Sequence, residues 1–243
     1  MRPKTLMFAL ICTLVVCTLA SADEVEVGEI LKSGTKLYSQ NKEELIIRDF
    51  FRDRREGVFV DVGAWRWRHA STTYYLEKHL GWTGIAIDAQ PDLKEGYVKN
   101  RPGTKFFQYI VSDESGGKGT LYLRGPISST DKDHHKAFEG APEPRRAVEV
   151  EKITLNDLLA REAIERIDFL SMDIEKGEPP ALAGFDIERF RPELVCVEAG
   201  NPEIQQALTL YFDAHGYERI DAYHPYDWIN WYYRPKPESA TSD

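Results

Sequence analysis

Cysteine is almost absent from this chain. There are three in 243 residues, and Cys12 and Cys17 both fall in an apolar N-terminal run. That leaves Cys196 alone in Leu194-Val-Cys-Val, which excludes an internal disulfide framework or a cysteine zinc cage in the body of the chain. Cys196 reads as a small buried hydrophobe. Positive charge is also short: 31 Lys and Arg stand against 40 Asp and Glu, a formal charge of −9. An extended nucleic-acid backbone needs clustered basic residues, so such a partner is excluded. No apolar run reaches the ~20 residues of a comfortable membrane span. Internal repeats and a domain linker are lacking too. Aromatic residues make up 12%, with modest glycine and proline, which argues against disorder.

What is there begins at the N-terminus. Arg2 and Lys4 precede the apolar run Leu6 to Leu19, followed by Ala20-Ser21-Ala22 and the acids Asp23-Glu24. A basic start, a short apolar core and small residues at the cleavage site form the secretory signal pattern. The expectation is a signal peptide over 1–22 and an exported domain (periplasmic, secreted or lumenal). If uncleaved, the run would serve as a membrane anchor. After cleavage no stable span remains.

Residues 23–35 read as acidic and loose. Residues 36–54 carry Leu37, Leu45, Ile46, Ile47, Phe50 and Phe51 among charges, the pattern of one or two amphipathic helices. Together 23–54 make an N-terminal helical extension. From 55 to 235 short apolar runs alternate with helical stretches, the signature of one parallel α/β sheet. Strands are expected at Val58–Val62, Gly84–Asp88, Thr104–Val111 and Ile167–Met172, then near 193–197. An edge strand is expected at Val148–Ile153. Two last strands, at Tyr217–Tyr223 and Trp228–Tyr233, should pair antiparallel. Thr154 reads as a helix cap with Asp157 three residues on. Residues 124–147 show little periodicity and read as a long loop, of the kind that forms lids or binding loops. The end, 236–243, reads as a disordered tail.

Asp61 and Asp88 close two apolar runs 27 residues apart. Asp173 and Glu198 close two more. In an open parallel sheet such tips face the ligand crevice, and the acid ending the second strand is placed to hold a ribose. The segments Val60-Asp-Val-Gly-Ala, Thr73-Tyr-Tyr-Leu-Glu-Lys-His-Leu-Gly-Trp-Thr-Gly, Ile87-Asp-Ala-Gln-Pro, Val111-Ser-Asp and Phe169-Leu-Ser-Met-Asp-Ile-Glu-Lys-Gly-Glu resemble the FkbM-type S-adenosylmethionine-dependent methyltransferases over roughly residues 55–235. The resemblance implies a single doubly wound, Rossmann-like, seven-stranded sheet, mostly parallel with its last strand antiparallel. It implies S-adenosyl-L-methionine as cofactor, with Asp61, Gly63 and Ala64 in the first cofactor loop. Asp88 and Ala89 follow at the ribose, Ser112 and Asp113 near the adenine. Asp173 and Glu175 would be the catalytic acids, near the methyl group and the acceptor. Glu175 and Glu178 match the acids of the family's Asp-x-Glu-Gly-x-Glu motif, with Lys176 either inserted before Gly177 or replacing the motif's glycine.

Three features depart from that pattern. Where the family continues its loop with a glycine, this chain has Trp67, expected to fill the space of the methionine moiety. Arg66 and Arg68 place charge near a cationic sulfonium. Pro179-Pro180 is expected to disturb the segment after the acidic motif. His134-His135 lacks a third ligand and reads as a solvated loop, so no metal site is named, although Asp173, Glu175 and Glu178 together could hold a hard cation. Three functions remain open: O-methylation of a small molecule or glycan, an exported and catalytically degenerate binding module, and metal-assisted hydrolysis. The acceptor and the oligomeric state are not legible.

Overall fold

Apolar runs covered on both faces become the central strands of the fold. The computed structural model describes residues 25–138, 140 and 146–237. Its elements are α1 (Glu29–Ser33), α2 (Glu43–Phe51), β1 (Val58–Val62), α3 (Tyr74–Leu80), β2 (Thr83–Ile87), α4 (Lys94–Asn100) and β3 (Thr104–Phe107). Next come β4 (Ile110–Val111), β5 (Lys118–Leu123), β6 (Arg146–Ile153), α5 (Leu155–Arg161), β7 (Phe169–Met172) and α6 (Glu178–Ala183). The chain ends with α7 (Ile187–Phe190), β8 (Leu194–Glu198), α8 (Pro202–Ala214), β9 (Tyr217–Arg219) and β10 (Asn230–Pro235). Residues 1–22, where a signal peptide is expected, and residues 238–243 of the expected tail lie outside the described residues. Among the described residues no helix is long and apolar enough to cross a membrane.

Seven strands form one sheet in the order β3-β2-β1-β7-β8-β10-β9. β1 pairs in parallel with β2 and β7, β2 with β3, and β7 with β8. β10 runs antiparallel to β8 and β9. This is the α/β, doubly wound, Rossmann-like sheet expected from the sequence. The period of two along each strand divides its residues between two cores. Val60, Val62, Leu170, Met172, Val195 and Val197 pack with α5 to α8. Phe59, Phe169, Leu194 and Cys196 pack with α1, α2, α3 and Trp82 on the other face. Cys196 is buried there as a free thiol.

Four expectations are corrected. Residues 23–35 are not loose throughout, since α1 is docked on α2: Asp49 accepts from the backbone N–H of Gly28 (2.8 Å) and Leu31 (3.3 Å), and Leu31 is buried. The third strand does not run unbroken from 104 to 111. It divides at Gln108-Tyr109, β3 joining the main sheet and β4 a second one, ordered β4-β6-β5. For the same reason β6 is no edge strand: it lies between β4 and β5, paired with both. Pro179-Pro180 disturbs nothing. The pair occupies the first turn of α6, where the missing N–H has no intrahelical partner to lose. Thr154 caps α5 as expected, its hydroxyl accepting from Asp157 N at 3.1 Å.

Candidate active site

The order of strands reverses between β1 and β7, and a cleft opens there at their carboxyl ends, the position a doubly wound sheet dictates. Its empty space, with the solvent at its mouth, is about 1070 Å³. Of the residues named from the sequence, Asp61, Gly63, Ala64, Asp88, Ala89, Ser112, Asp173 and Glu175 line it. Asp113 does not. It is exposed and accepts the Ser112 hydroxyl at 3.0 Å.

Asp88 follows β2 and is held by two backbone donors, Trp65 N on Oδ2 (2.9 Å) and Gln90 N on Oδ1 (2.8 Å). A carboxylate has about four lone-pair sites, so two amides do not exhaust its capacity, and Asp88 lines the cleft. Burial nonetheless pushes this carboxyl up to about 6, against the pull of those amides. Asp61 is more enclosed. It accepts Thr73 Oγ1 at 2.7 Å, and Thr73 is also bonded by the buried Arg101. Burial raises the Asp61 carboxyl even so. Gly63 has φ +82°, and a Cβ there would lie 1.7 Å from the Asp173 carbonyl oxygen. Glycine is thus required for the close approach of the β1 and β7 loops, besides any contact with a ligand.

The tryptophan expectation is overturned. Trp67 is absent from the cleft lining. Its indole covers Gly96, packs edge-on to Tyr74 at 5.7 Å and joins the cluster of Ala64, Ala86, Tyr97 and Phe106. Trp65 lines the cleft instead, in a left-handed conformation (φ 45°). Arg66 lies over Trp65 and Arg68 over Tyr38, and neither lines the cleft.

At the tips of β7 and β8 the acids gather. Asp173, Glu175 and Glu198 each place a carboxylate oxygen within 4.8 Å of the others, a spacing that a hard divalent cation accepts. Asp173 opens on the cleft. Enclosure by the protein, then the charges of Glu198 and Glu175, push its carboxyl well above the ordinary range. Burial and Glu175 push Glu198 up to about 8. The charges of these neighbouring carboxyls oppose one another, so each disfavours ionisation of the next. Glu178 is buried beside them, with Oε1 accepting Ile174 N at 2.9 Å and Oε2 lacking a partner. Desolvation raises it to about 8. Lys176 has φ +79°, a conformation glycine takes freely. It therefore stands in for the motif's glycine rather than being inserted.

His134 and His135 are not solvated. Both are buried, and His134 Nε2 lies 2.6 Å from Glu175 Oε2. Residues 124–138 form a strap across the cleft, and its Pro126, Ser128 and Thr130 help to line it. The length of the aperiodic segment signalled a functional loop. No local pattern could reveal that its histidine meets an acid 41 residues away.

No curated protein matches the chain in sequence. Solved structures similar to it include a TehB-like S-adenosylmethionine-dependent methyltransferase from Corynebacterium glutamicum, with 13% identity, 86% of this chain and 92% of that chain covered and a TM-score of 0.45. Another is a precorrin-6y C5,15-methyltransferase from Geobacter metallireducens, with 11% identity, 72% of each chain covered and a TM-score of 0.42. A putative RNA methyltransferase from Pyrococcus horikoshii shares 14% identity, with 80% of this chain and 82% of that chain covered and a TM-score of 0.42. Likeness at that level carries no functional argument. The sequence match is different in kind: the FkbM methyltransferase domain matches residues 61–219, the span that runs from Asp61 near the end of β1 through β2, the strap and the acids that follow β7 and end β8. The chain belongs to the FkbM methyltransferase family.

Proposed function

We propose that this protein transfers the methyl group of S-adenosylmethionine to a hydroxyl of a small molecule or glycan. Asp88 carries this reading. It is an acid at the tip of the second strand, fixed by two backbone donors, with lone pairs left for a ribose diol. Gly63 and Ala64 would flank the methionine moiety, Ala89 the ribose and Ser112 the adenine. The cofactor supplies an electrophilic methyl on a sulfonium. A cationic sulfonium is favoured beside a carboxylate, and Glu175, which lines the cleft, would provide one. Burial, then the charges of Glu198 and Glu175, raise the Asp173 carboxyl and favour its protonated form, which leaves it poorly suited to accept a proton. Glu175 is then the carboxylate that receives the acceptor's proton.

Calorimetric titration with S-adenosylmethionine tests this. The expected result is a dissociation constant in the micromolar range, weakened roughly 10–100-fold in Asp88→Ala, the loss expected for hydrogen bonds to a charged group. No heat at millimolar cofactor would sink the reading and leave a non-catalytic binding module.

A further inference from the structure

We propose that His134 is a positioning residue for methyl transfer: it clamps one oxygen of Glu175 and leaves the other, Oε1, to take the proton of the acceptor hydroxyl. The inference rests on the methyl-transfer reading above and adds the group that aims its base. His134 is 6% exposed and Glu175 8%, and their Nε2–Oε2 distance is 2.6 Å. The ring's other nitrogen, Nδ1, is buried without a partner. A ring proton on Nδ1 would bury an unpaired donor and set two lone pairs against each other across 2.6 Å. The proton therefore belongs on Nε2, which donates to Glu175. Phe138 stands edge-on to the ring at 5.1 Å and limits its rotation.

The same strap grips Glu175 and its neighbour at two further points. Ser129 Oγ donates to the Glu175 carbonyl at 2.8 Å, and Lys176 pairs with Asp131 at 3.0 Å. Glu175 and Lys176 both hold left-handed conformations, φ 55° and 79°, which non-glycine residues keep only when their surroundings enforce them. Contacts from the strap supply that enforcement. Because Ser128 and Thr130 of the strap also line the cleft, the segment that would meet the acceptor is the one that aims the base. In the step itself the acceptor O–H proton passes to Glu175 Oε1 as its electron pair forms the new C–O bond. The C–S electron pair stays on sulfur, and the proton later leaves to solvent.

Two measurements on the full chain test the proposal. Nuclear magnetic resonance of protein labelled with 15N-histidine, without cofactor, should show one far-downfield, slowly exchanging imidazole N–H. Glu175→Ala and His134→Gln should both abolish it, and Asp88→Ala should leave it. The second measurement uses water as acceptor and follows conversion of S-adenosylmethionine to S-adenosylhomocysteine and methanol. His134→Ala should slow turnover about tenfold or more with cofactor affinity within about twofold. His134→Gln, whose side-chain N–H can reach Oε2, should recover part of the rate. The proposal is overturned if the downfield N–H is missing. It also fails if His134→Ala turns over like the parent, if both variants are equally impaired, or if the parent binds cofactor without accelerating solvolysis. Failure of the parent to bind cofactor at all would instead remove the methyl-transfer reading, while the resonance still decides whether the clamp exists.

Discussion

Glu178 has a charge that its surroundings oppose. It is 1% exposed, and burial followed by the charges of Asp173 and Glu175 outweighs its bond to Ile174 N, setting its carboxyl near 8 against 4.5 in the open chain. Between those two values the folded state keeps a proton that the unfolded chain has released, so this group withdraws stability as pH rises from about 4.5 to 8. Glu178→Gln keeps an acceptor for Ile174 N and loses the charge. Thermal melts should show the variant above the parent at pH 8 and level with it at pH 4. A parent that grows more stable toward pH 8 would contradict this and point to a cation among Asp173, Glu175 and Glu198. Trp67 gives the second prediction at this scale. Its indole packs away from the cleft on Gly96 and Tyr74, so Trp67→Gly should destabilise the fold by about 2 kcal/mol or more without tightening cofactor binding. A calorimetric gain in affinity would show that the indole does obstruct the site.

Elements are joined around the site by polar contacts that secondary-structure patterns do not announce. Arg101, at the end of α4, is buried and bonds Glu77 of α3 at 2.6 Å. Glu77 also accepts from Gly103 N and Thr104 Oγ1 ahead of and within β3. The guanidinium reaches Thr73 too, and Thr73 holds Asp61. One side chain thus ties α3, α4 and β3 to the acid of β1. Breaking a buried pair by removing one partner costs about 3–5 kcal/mol. Arg101→Met should lower the melting temperature by roughly 6–20 °C, and a loss of less than a few degrees would mean that water replaces the network. The division of 104–111 between β3 and β4 belongs to this scale as well. Phe106 and Val111 look alike in an apolar run, yet one serves the main sheet and the other pairs with β6. Long-range pairing made that choice.

For the whole molecule the open question is where it works. Removal of residues 1–22 would take away Arg2 and Lys4 and carry the formal charge from −9 to −11. N-terminal sequencing of the native protein should then begin at Asp23. An intact Met1 on a cytosolic protein would refute export. On the methyl-transfer reading, a cationic sulfonium would be held near the acids that gather at the tips of β7 and β8.

The class of fold and the line of acids at the strand tips were set by the order of residues alone. They depend on local periodicity and on short motifs, Val60 to Ala64 and Asp173 to Glu178 among them, that need no distant partner. The tertiary structure decided which side chains meet. It placed Trp67 outside the cleft, Trp65 in its wall, Glu198 against Asp173 and His134 against Glu175. Such contacts arise where separate loops cross the end of the sheet, and the energies that fix them come from burial and hydrogen bonding between segments tens of residues apart.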